Sequence, residues 1–251
     1  MEQNSVNNQE SVDRIIESLL GDNKVRDFIE IDLPSKGIGY TFTDGAKKLK
    51  IRPMTFVDEK AILSSKKGDG GNPVSVLLSR CILNLDPSEL YIFDKLYVLL
   101  KIREESYGET YNGSIPCPNC SKENDLSIKI NALMVNDVED GFGPIIEVKL
   151  KKIGKVAKVR VPRVKDEKLL GTFDKAAGNL WRFIESVDIH TDPVVIAKLI
   201  ERLPINDANA LIKSILNPSY GVVPSIRMEC IECQSISTIA LPISSDFFIG
   251  S

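Results

Sequence analysis

The chain contains the same fifteen-residue pattern twice, and this repetition constrains its fold more than any other feature. Residues 106–120 read SYGETYNGSIPCPNC, and residues 219–233 read SYGVVPSIRMECIEC. Both segments consist of Ser-Tyr-Gly, eight further residues and Cys-x-x-Cys, and each of the five identical positions lies 113 residues from its counterpart. Five matches in a single register are hard to obtain by chance. The sequence therefore predicts an internal duplication.

The four cysteines of the two patterns are candidate metal ligands. A Cys-x-x-Cys pair on a tight turn supplies two corners of a tetrahedron, so two pairs complete a four-thiolate zinc site. The 109 residues between Cys120 and Cys230 (230 − 120 − 1) would cost about 4–5 kcal/mol to close as a flexible loop. Structural zinc supplies roughly 10–16 kcal/mol in small peptides. We therefore expect one structural zinc per chain, bound by Cys117, Cys120, Cys230 and Cys233.

Two other interpretations of these cysteines are redox-active pairs and thiols without a role. A thioredoxin-like pair opens a helix after a strand, and neither pair stands in that setting. Four thiolates on one ion also leave no open coordination position for catalysis. The fifth cysteine, Cys81, lies on the apolar face of a predicted helix, where core packing is expected.

The order of the predicted elements is repeated as well. In each half, two strands precede three helices, and a hairpin that carries the Cys-x-x-Cys pair follows. Asp-Glu-Lys opens a helix at residues 58–60 and again at residues 166–168, an offset of 108. The sequence thus predicts an α+β fold with two similar halves, each of two strands, three helices and a Cys-x-x-Cys hairpin, joined at a shared zinc-ribbon-like site.

Capping residues predict the helix boundaries. Thr55 and Asp58 indicate a helix over residues 56–65. Asp86, followed by proline, indicates the start of a long helix that ends near Glu105. In the second half, Asn206 or Asp207 is the expected cap of the helix that precedes the second Ser-Tyr-Gly.

We divide the chain into three parts. Residues 1–25 are predicted to form a polar tail with a short amphipathic helix, residues 26–134 the first repeat and residues 144–251 the second. A loop rich in Asp, Asn and Gly joins the two repeats. Apolar residues near both termini are candidate contacts for a partner protein, with core packing as the alternative for the last two: Ile15, Ile16, Leu19, Leu20, Phe247 and Phe248.

Composition excludes several broad classes. The formal net charge is −3 and the pI is near 5.4, which disfavours a dedicated nucleic-acid-binding protein. No run of eighteen apolar residues predicts a membrane span, and the polar N-terminus does not resemble a signal peptide. Five cysteines, four of them in metal-type pairs, are typical of a reducing cytoplasm.

Other polar groups give no catalytic constellation. The single histidine, His190, is expected in a loop before a helix, and no acid–base pair, triad or open metal site can be assembled from the remaining residues. The basic segment 149–165 is interpreted mainly as the charged protection of an edge strand. A zinc-ribbon nucleic-acid-binding protein that uses this hairpin is the alternative function, and an acidic protein partner is a further interpretation.

The order of several motifs resembles a known family. The chain reads LPSKGIGY from Leu33, PMTFVDE from Pro53 and REESYG from Arg103, and it ends with the second Cys-x-x-Cys pair followed by SDFF. This order resembles the baseplate hub assembly proteins of T-even-type contractile-tailed bacteriophages over residues 28–250. The matching residues are Leu33 to Gly37, Pro53 to Thr55, Tyr107, Gly108, the four paired cysteines and Asp246 to Phe248.

The resemblance implies a non-enzymatic role in building the hub of a contractile tail. A protein of this kind would be incorporated in the hub or would assist its assembly transiently, for example as a chaperone of the tape-measure protein. Its partners would be other tail or baseplate hub proteins. Its location would be the cytoplasm of the infected host and, where it is incorporated, the virion tail.

Overall fold

Helices alternate with short antiparallel strands through most of the chain, which is an α+β arrangement. The computed structural model describes residues 14–16, 18–19, 28–67, 72–216, 219–241 and 247. The strands are β1 (Ile29–Ile31), β2 (Leu49–Ile51), β3 (Thr110–Pro116), β4 (Glu123–Lys129), β5 (Val135–Asn136), β6 (Ile145–Leu150), β7 (Lys155–Arg160), β8 (Ile184–Val187), β9 (Gly221–Val222), β10 (Ser225–Glu229) and β11 (Ile236–Ala240). The helices are α1 (Phe56–Lys67), α2 (Pro73–Cys81), α3 (Ile92–Tyr107), α4 (Glu167–Leu170), α5 (Phe173–Asn179), α6 (Pro193–Ile200) and α7 (Ile205–Leu216). None of the helices in these ranges is long and apolar enough to cross a membrane.

The first half contains the predicted two strands, three helices and hairpin. Strands β1 and β2 are antiparallel, with Ile31 opposite Leu49, and both side chains are buried. Helix α2 begins at a proline, and the side chain of Asn72 accepts a hydrogen bond from the backbone N–H of Val74, as expected for an N-cap. Cys81 is completely buried at the end of this helix, which confirms the expected core position.

The long helix predicted from Asp86 begins later than expected. Asp86 caps only a 3-10 turn, Pro87–Glu89, and helix α3 starts at Ile92. Between them the chain pairs with the second half: the carbonyl of Leu90 accepts a hydrogen bond from Val164 N–H (2.8 Å). A tertiary contact therefore overrides the local helical pattern.

The second half departs further from the prediction. The helix expected from Asp166 is divided into α4, α5 and a 3-10 turn, because Thr172 caps a new helix through its hydroxyl. The chain then forms β8, which was not predicted and which extends the hairpin into the three-stranded sheet β6-β7-β8. Asp207 does not cap α7 but accepts hydrogen bonds from Lys152 N–H and Ile153 N–H (3.1 Å each) in the turn between β6 and β7.

The buried apolar residues form two large clusters with an aromatic cluster between them. One large cluster draws mainly on residues 31–133 and the other on residues 150–216. Tyr91, Phe93 and Tyr220 belong to the aromatic cluster, in which Tyr220 of the second Ser-Tyr-Gly packs against Phe93 at the start of α3 (5.7 Å between ring centroids). Leu241 and Phe247 lie in the first cluster although they follow the second hairpin in sequence. The packing therefore crosses the boundary between the predicted repeats.

A partly buried salt bridge occurs at the same place in both halves. Arg52 contacts Asp58 through two hydrogen bonds (2.7 and 3.1 Å), and Arg160 contacts Asp166 in the same way (2.7 and 3.2 Å). The offset is 108 for both the arginines and the aspartates. In each half, the aspartate also accepts a hydrogen bond from the backbone N–H three residues before it. This paired contact joins the end of a strand to the start of the following helical turn.

Candidate metal centre

The four paired cysteines converge on one point between the two hairpins. Their sulfur atoms all lie within 4.8 Å of one another. Cys117 Sγ is 3.8 Å from Cys233 Sγ, and Cys120 Sγ is 3.6 Å from Cys230 Sγ, so the close contacts join one hairpin to the other. Zinc–sulfur bonds of about 2.3 Å in a tetrahedron place the sulfurs about 3.8 Å apart. The donor type, the number of donors and the spacing therefore fit a tetrahedral zinc ion.

Each hairpin presents its cysteines on the same kind of turn. The N–H of Cys117 donates to the carbonyl of Lys122 (2.8 Å), and the N–H of Cys230 donates to the carbonyl of Ser235 (3.0 Å). The last strand pair before the turn is Pro116 with Glu123 in one hairpin and Glu229 with Ile236 in the other. Both turns also contain one residue with a positive φ, Ser121 at 60° and Gln234 at 56°. All of these positions are 113 residues apart.

Asn124 of the first hairpin connects the two turns. Its side chain is buried, and its Nδ2 donates to Cys230 Sγ (3.7 Å). Its Oδ1 accepts a hydrogen bond from Ile231 N–H (3.0 Å) in the second turn. Polar groups outside the ligand set commonly orient the ligands of a metal site, and Asn124 is placed to do so here. Asn124 belongs to no recognisable motif after the first cysteine pair, so sequence reasoning does not single it out.

Ser235 connects the turns in the opposite direction. Its hydroxyl lies 3.1 Å from Cys233 Sγ and 3.5 Å from Cys117 Sγ. The hydrogen bond of this hydroxyl lowers the pKa of Cys233 to about 5 and also lowers the pKa of Cys117. The thiolate is the form that binds metal, so the contact with Ser235 favours binding.

Cys120 shows the electrostatic cost of bringing four sulfurs together. The backbone N–H of Lys122 lowers its pKa, but the loss of hydration and the three neighbouring sulfurs outweigh this effect and raise the pKa to about 12. Like charges at short distance oppose ionisation of the last thiol, and a divalent cation reverses that effect. The geometry and the charge therefore both favour an ion at the centre of the cluster.

Apolar residues pack against three of the four cysteines, while Cys120 is exposed. Met228 is buried beside Cys117 and Cys230, and Ile115, Leu126 and Ile239 pack around them. This cluster is small compared with the two large ones. Apolar packing around the sulfurs is therefore limited.

The motif at Leu33 surrounds a second buried polar group, which the sequence did not indicate. Asp94 on α3 is completely buried and accepts hydrogen bonds from Ser35 N–H (3.1 Å) and the Tyr40 hydroxyl (2.6 Å). Burial raises the pKa of Asp94 to about 6 despite these hydrogen bonds. The carbonyl of Pro34 accepts a hydrogen bond from Val138 N–H (2.9 Å). The motif thus holds the first half against the segment that follows it.

The other predicted site residues lie apart from the sulfur cluster. His190 lies in the exposed turn after β8, in agreement with the expected loop. Ile15, Ile16 and Leu19 are helical and exposed, whereas Leu20 and Phe248 lie outside the described residues. Phe247 is 1% exposed and packs on Tyr111 (4.5 Å between ring centroids), which corresponds to core packing and not to a surface open to a partner.

The basic segment 149–165 is only partly available for binding. Four of its eight cations form salt bridges within the chain: Lys155 with Asp188, Arg160 with Asp166, and Arg163 and Lys165 with Glu89. Phosphate binding needs free cations. This pairing therefore gives the nucleic-acid alternative no structural support.

Comparison with known proteins identifies the family. A family model described as T4 bacteriophage base plate protein matches residues 29–249. No curated protein and no solved structure matches the chain significantly. The family match includes both Cys-x-x-Cys hairpins and spans most of the sequence. The chain therefore belongs to the T4 bacteriophage base plate protein family and is a phage tail baseplate protein.

Proposed function

We propose that this chain is a non-enzymatic component or assembly factor of the baseplate hub, and that one structural zinc ion joins its two hairpins. The observation that carries the proposal is the convergence of four sulfur atoms from hairpins 113 residues apart in a chain of a baseplate family. A four-thiolate zinc has no open position for substrate. Its role is to fix the hairpins relative to each other.

The proposal includes an origin of the site by duplication. Matching turns at an offset of 113 and matching salt bridges at an offset of 108 support two related halves. Each ancestral unit would have supplied two thiolates, and pairing of two units would complete the tetrahedron. This origin accounts for a spacing between cysteine pairs that is much longer than in an ordinary zinc ribbon.

The N-terminal helix is the proposed contact with other tail proteins. Ile15, Ile16 and Leu19 expose apolar surface on a helix, and an amphipathic helix of this kind docks in grooves of partner proteins. We include Leu20 in this contact. The tape-measure protein is one proposed partner, in which case the chain acts as an assembly chaperone in the host cytoplasm.

Co-purification tests the proposal. The tagged chain is expressed together with the tail and hub proteins of its phage, including the tape-measure protein, and bound proteins are identified by mass spectrometry. We expect a hub or tape-measure protein to co-purify with the full chain and to be lost when residues 1–25 are deleted. Circular dichroism of the shortened chain checks that it remains folded. Failure of the full chain to retain any tail protein would refute the proposal.

Mass spectrometry of purified virions distinguishes a hub component from a transient assembly factor. A hub component is present in finished particles at a constant ratio to other baseplate proteins. An assembly factor is present in lysates of infected cells and missing from finished particles.

A further inference from the structure

The turn between β6 and β7 is held firmly by two neighbouring elements. Asp207 at the start of α7 accepts hydrogen bonds from the backbone N–H groups of Lys152 and Ile153 (3.1 Å each). On the other side, Asp188 accepts a hydrogen bond from Val156 N–H (3.0 Å) and forms a salt bridge with Lys155 (2.7 Å). The turn therefore has a fixed position between the residues that follow β8 and the first turn of α7.

Exposed apolar side chains lie next to both of these anchoring aspartates. Ile189 follows Asp188 and is 87% exposed, and Ile205 precedes Asp207 by two residues and is 70% exposed. Every residue from 188 to 195 is exposed. We call the following set the turn surface: Lys151, Lys152, Ile189 and Ile205.

The charge of the turn surface is positive. Lys151 and Lys152 are exposed and form no salt bridge with any described residue. Three aspartates lie in or beside this exposed segment and are already engaged: Asp188 with Lys155, and Asp192 and Asp207 with backbone N–H groups. A partner that covers this surface must therefore supply apolar side chains together with carboxylates.

The N-terminal segment has this composition. Residues 1–27 contain six acidic residues, Glu2, Glu10, Asp13, Glu17, Asp22 and Asp27, against three basic residues, Arg14, Lys24 and Arg26. Within this segment Ile15, Ile16 and Leu19 are helical and 59%, 47% and 81% exposed. These three side chains are therefore not buried against the turn surface of their own chain, and both sets of apolar residues are exposed in the same molecule.

We propose that the N-terminal helix of one copy binds the turn surface of a second copy. Ile15, Ile16 and Leu19 cover the exposed apolar residues of the turn surface, and the acidic residues of the same segment, which include Asp13 and Glu17, supply the negative charge that Lys151 and Lys152 attract. Such a contact joins different surfaces of identical chains, which is the kind of interface that builds rings and larger assemblies. The inference adds a second copy to the partners in the proposed function.

Self-association of the purified full chain tests the inference with no other tail protein present. Sedimentation equilibrium measures the apparent association constant at low and at high salt. We expect concentration-dependent association that weakens with salt and is lost when residues 1–25 are deleted. The variant K151E/K152E should weaken association about tenfold, since it replaces two attractive charge pairs with repulsive ones.

Exchanging the charges between the N-terminal segment and the turn surface distinguishes a direct contact between them from a general effect of net charge. Combining D13K/E17K with K151E/K152E in one chain should restore association. The control variant K47E/K129E changes the net charge equally at exposed lysines of the first half and should leave association unchanged. Thermal melting of every variant checks folding.

Three results would overturn the inference: a full chain that remains monomeric, association that survives deletion of residues 1–25, or a charge exchange that restores nothing. None of these results bears on co-purification with tail proteins. The failure of this inference and the failure of the proposed function are therefore distinguishable.

Discussion

If the proposed zinc site is correct, removal of either Cys-x-x-Cys pair should remove the whole ion, because each hairpin supplies two of the four clustered sulfurs. The variant C117S/C120S keeps two thiolates on the second hairpin, and C230S/C233S keeps two on the first. Two thiolates without the opposite pair do not close a tetrahedron. We therefore expect the zinc content of both variants to fall from about one ion per chain to near zero.

The expected loss of stability is the net free energy of zinc binding, because the unfolded chain has no preformed site. Strands β5 and β9 already join the two halves near the hairpins, where Val135 lies opposite Val222. The segments from this pair to Cys120 and Cys230 contain roughly 25 residues together, and closing a loop of that length costs about 3–4 kcal/mol of the roughly 10–16 kcal/mol that a structural zinc ion supplies. Two-stranded hairpins are marginal alone. We therefore expect the free energy of unfolding to fall by at least about 6 kcal/mol and the Tm to fall by more than about 10 °C.

Metal analysis after dialysis and scanning calorimetry measure both quantities. The control C81A removes a buried cysteine outside the cluster and should keep its zinc, although the core change lowers its stability. If each double variant instead retained half of the metal found in the full chain, every hairpin would bind its own ion and the shared site would be wrong.

Three further predictions concern the contacts that support this arrangement. D58N leaves two arginines beside a buried neutral side chain and should lower the free energy of unfolding by about 3–5 kcal/mol. D166N affects only one arginine and should lower it by about 2 kcal/mol, so equal losses in urea titrations would contradict this reasoning. G221A should lower the free energy of unfolding by about 2–4 kcal/mol, because an added Cβ would combine a positive φ with a 2.5 Å contact to the backbone. In the control G108A the φ is also positive but the space around the Cβ is open, so the same titrations should show a loss of about 1–2 kcal/mol. Burial raises the pKa of Asp94 from 3.8 to about 6. The protonated carboxyl group therefore stabilises the fold by up to about 3 kcal/mol below about pH 4, and this contribution is lost as the pH rises through about 6. D94N should remove this pH dependence, and a Tm profile that matches the unsubstituted chain would show that the reasoning is mistaken.

The hairpins and the convergence of the sulfurs could be predicted because their signals are local and repeated. Cys-x-x-Cys fixes the turn, and alternation of apolar residues fixes the returning strand. The constant offset of 113 then indicated that the two turns are equivalent. The long separation of the two cysteine pairs in sequence does not prevent this prediction, since metal ligands need only be adjacent in space.

The elements that escaped prediction depend on contacts from other parts of the chain. Strand β8 has only four residues, and Glu185 interrupts its apolar pattern, so no period distinguishes it from the preceding helical turns. Its pairing with β7 decides its conformation. Leu90 resembles a helical residue in sequence, yet its hydrogen bond with Val164 keeps it outside α3.

The repeated salt bridge had a signal that could have been used. Arginine precedes the aspartate of Asp-Glu-Lys by six residues in both halves, at Arg52 and Arg160. The aspartate alone predicts only a helix start. A repeat of both charges at one offset indicates a contact between them, because two partners of a buried ion pair must be kept together.

The two hairpins share their turns but not their surroundings, and this difference bears on function. A Cβ at Gly108 would meet nothing within 4 Å, whereas a Cβ at Gly221 would lie 2.5 Å from the carbonyl oxygen of Phe93. Asn124 is buried between the turns, whereas the residue 113 positions later is the half-buried Ser237. The ligand set is therefore nearly symmetric while the packing around it is not. In the proposed zinc site, the closed ion fixes the relative orientation of two differently packed hairpins and has no open position for a partner, so recognition of partners is expected in the exposed surfaces of the chain and not at the metal.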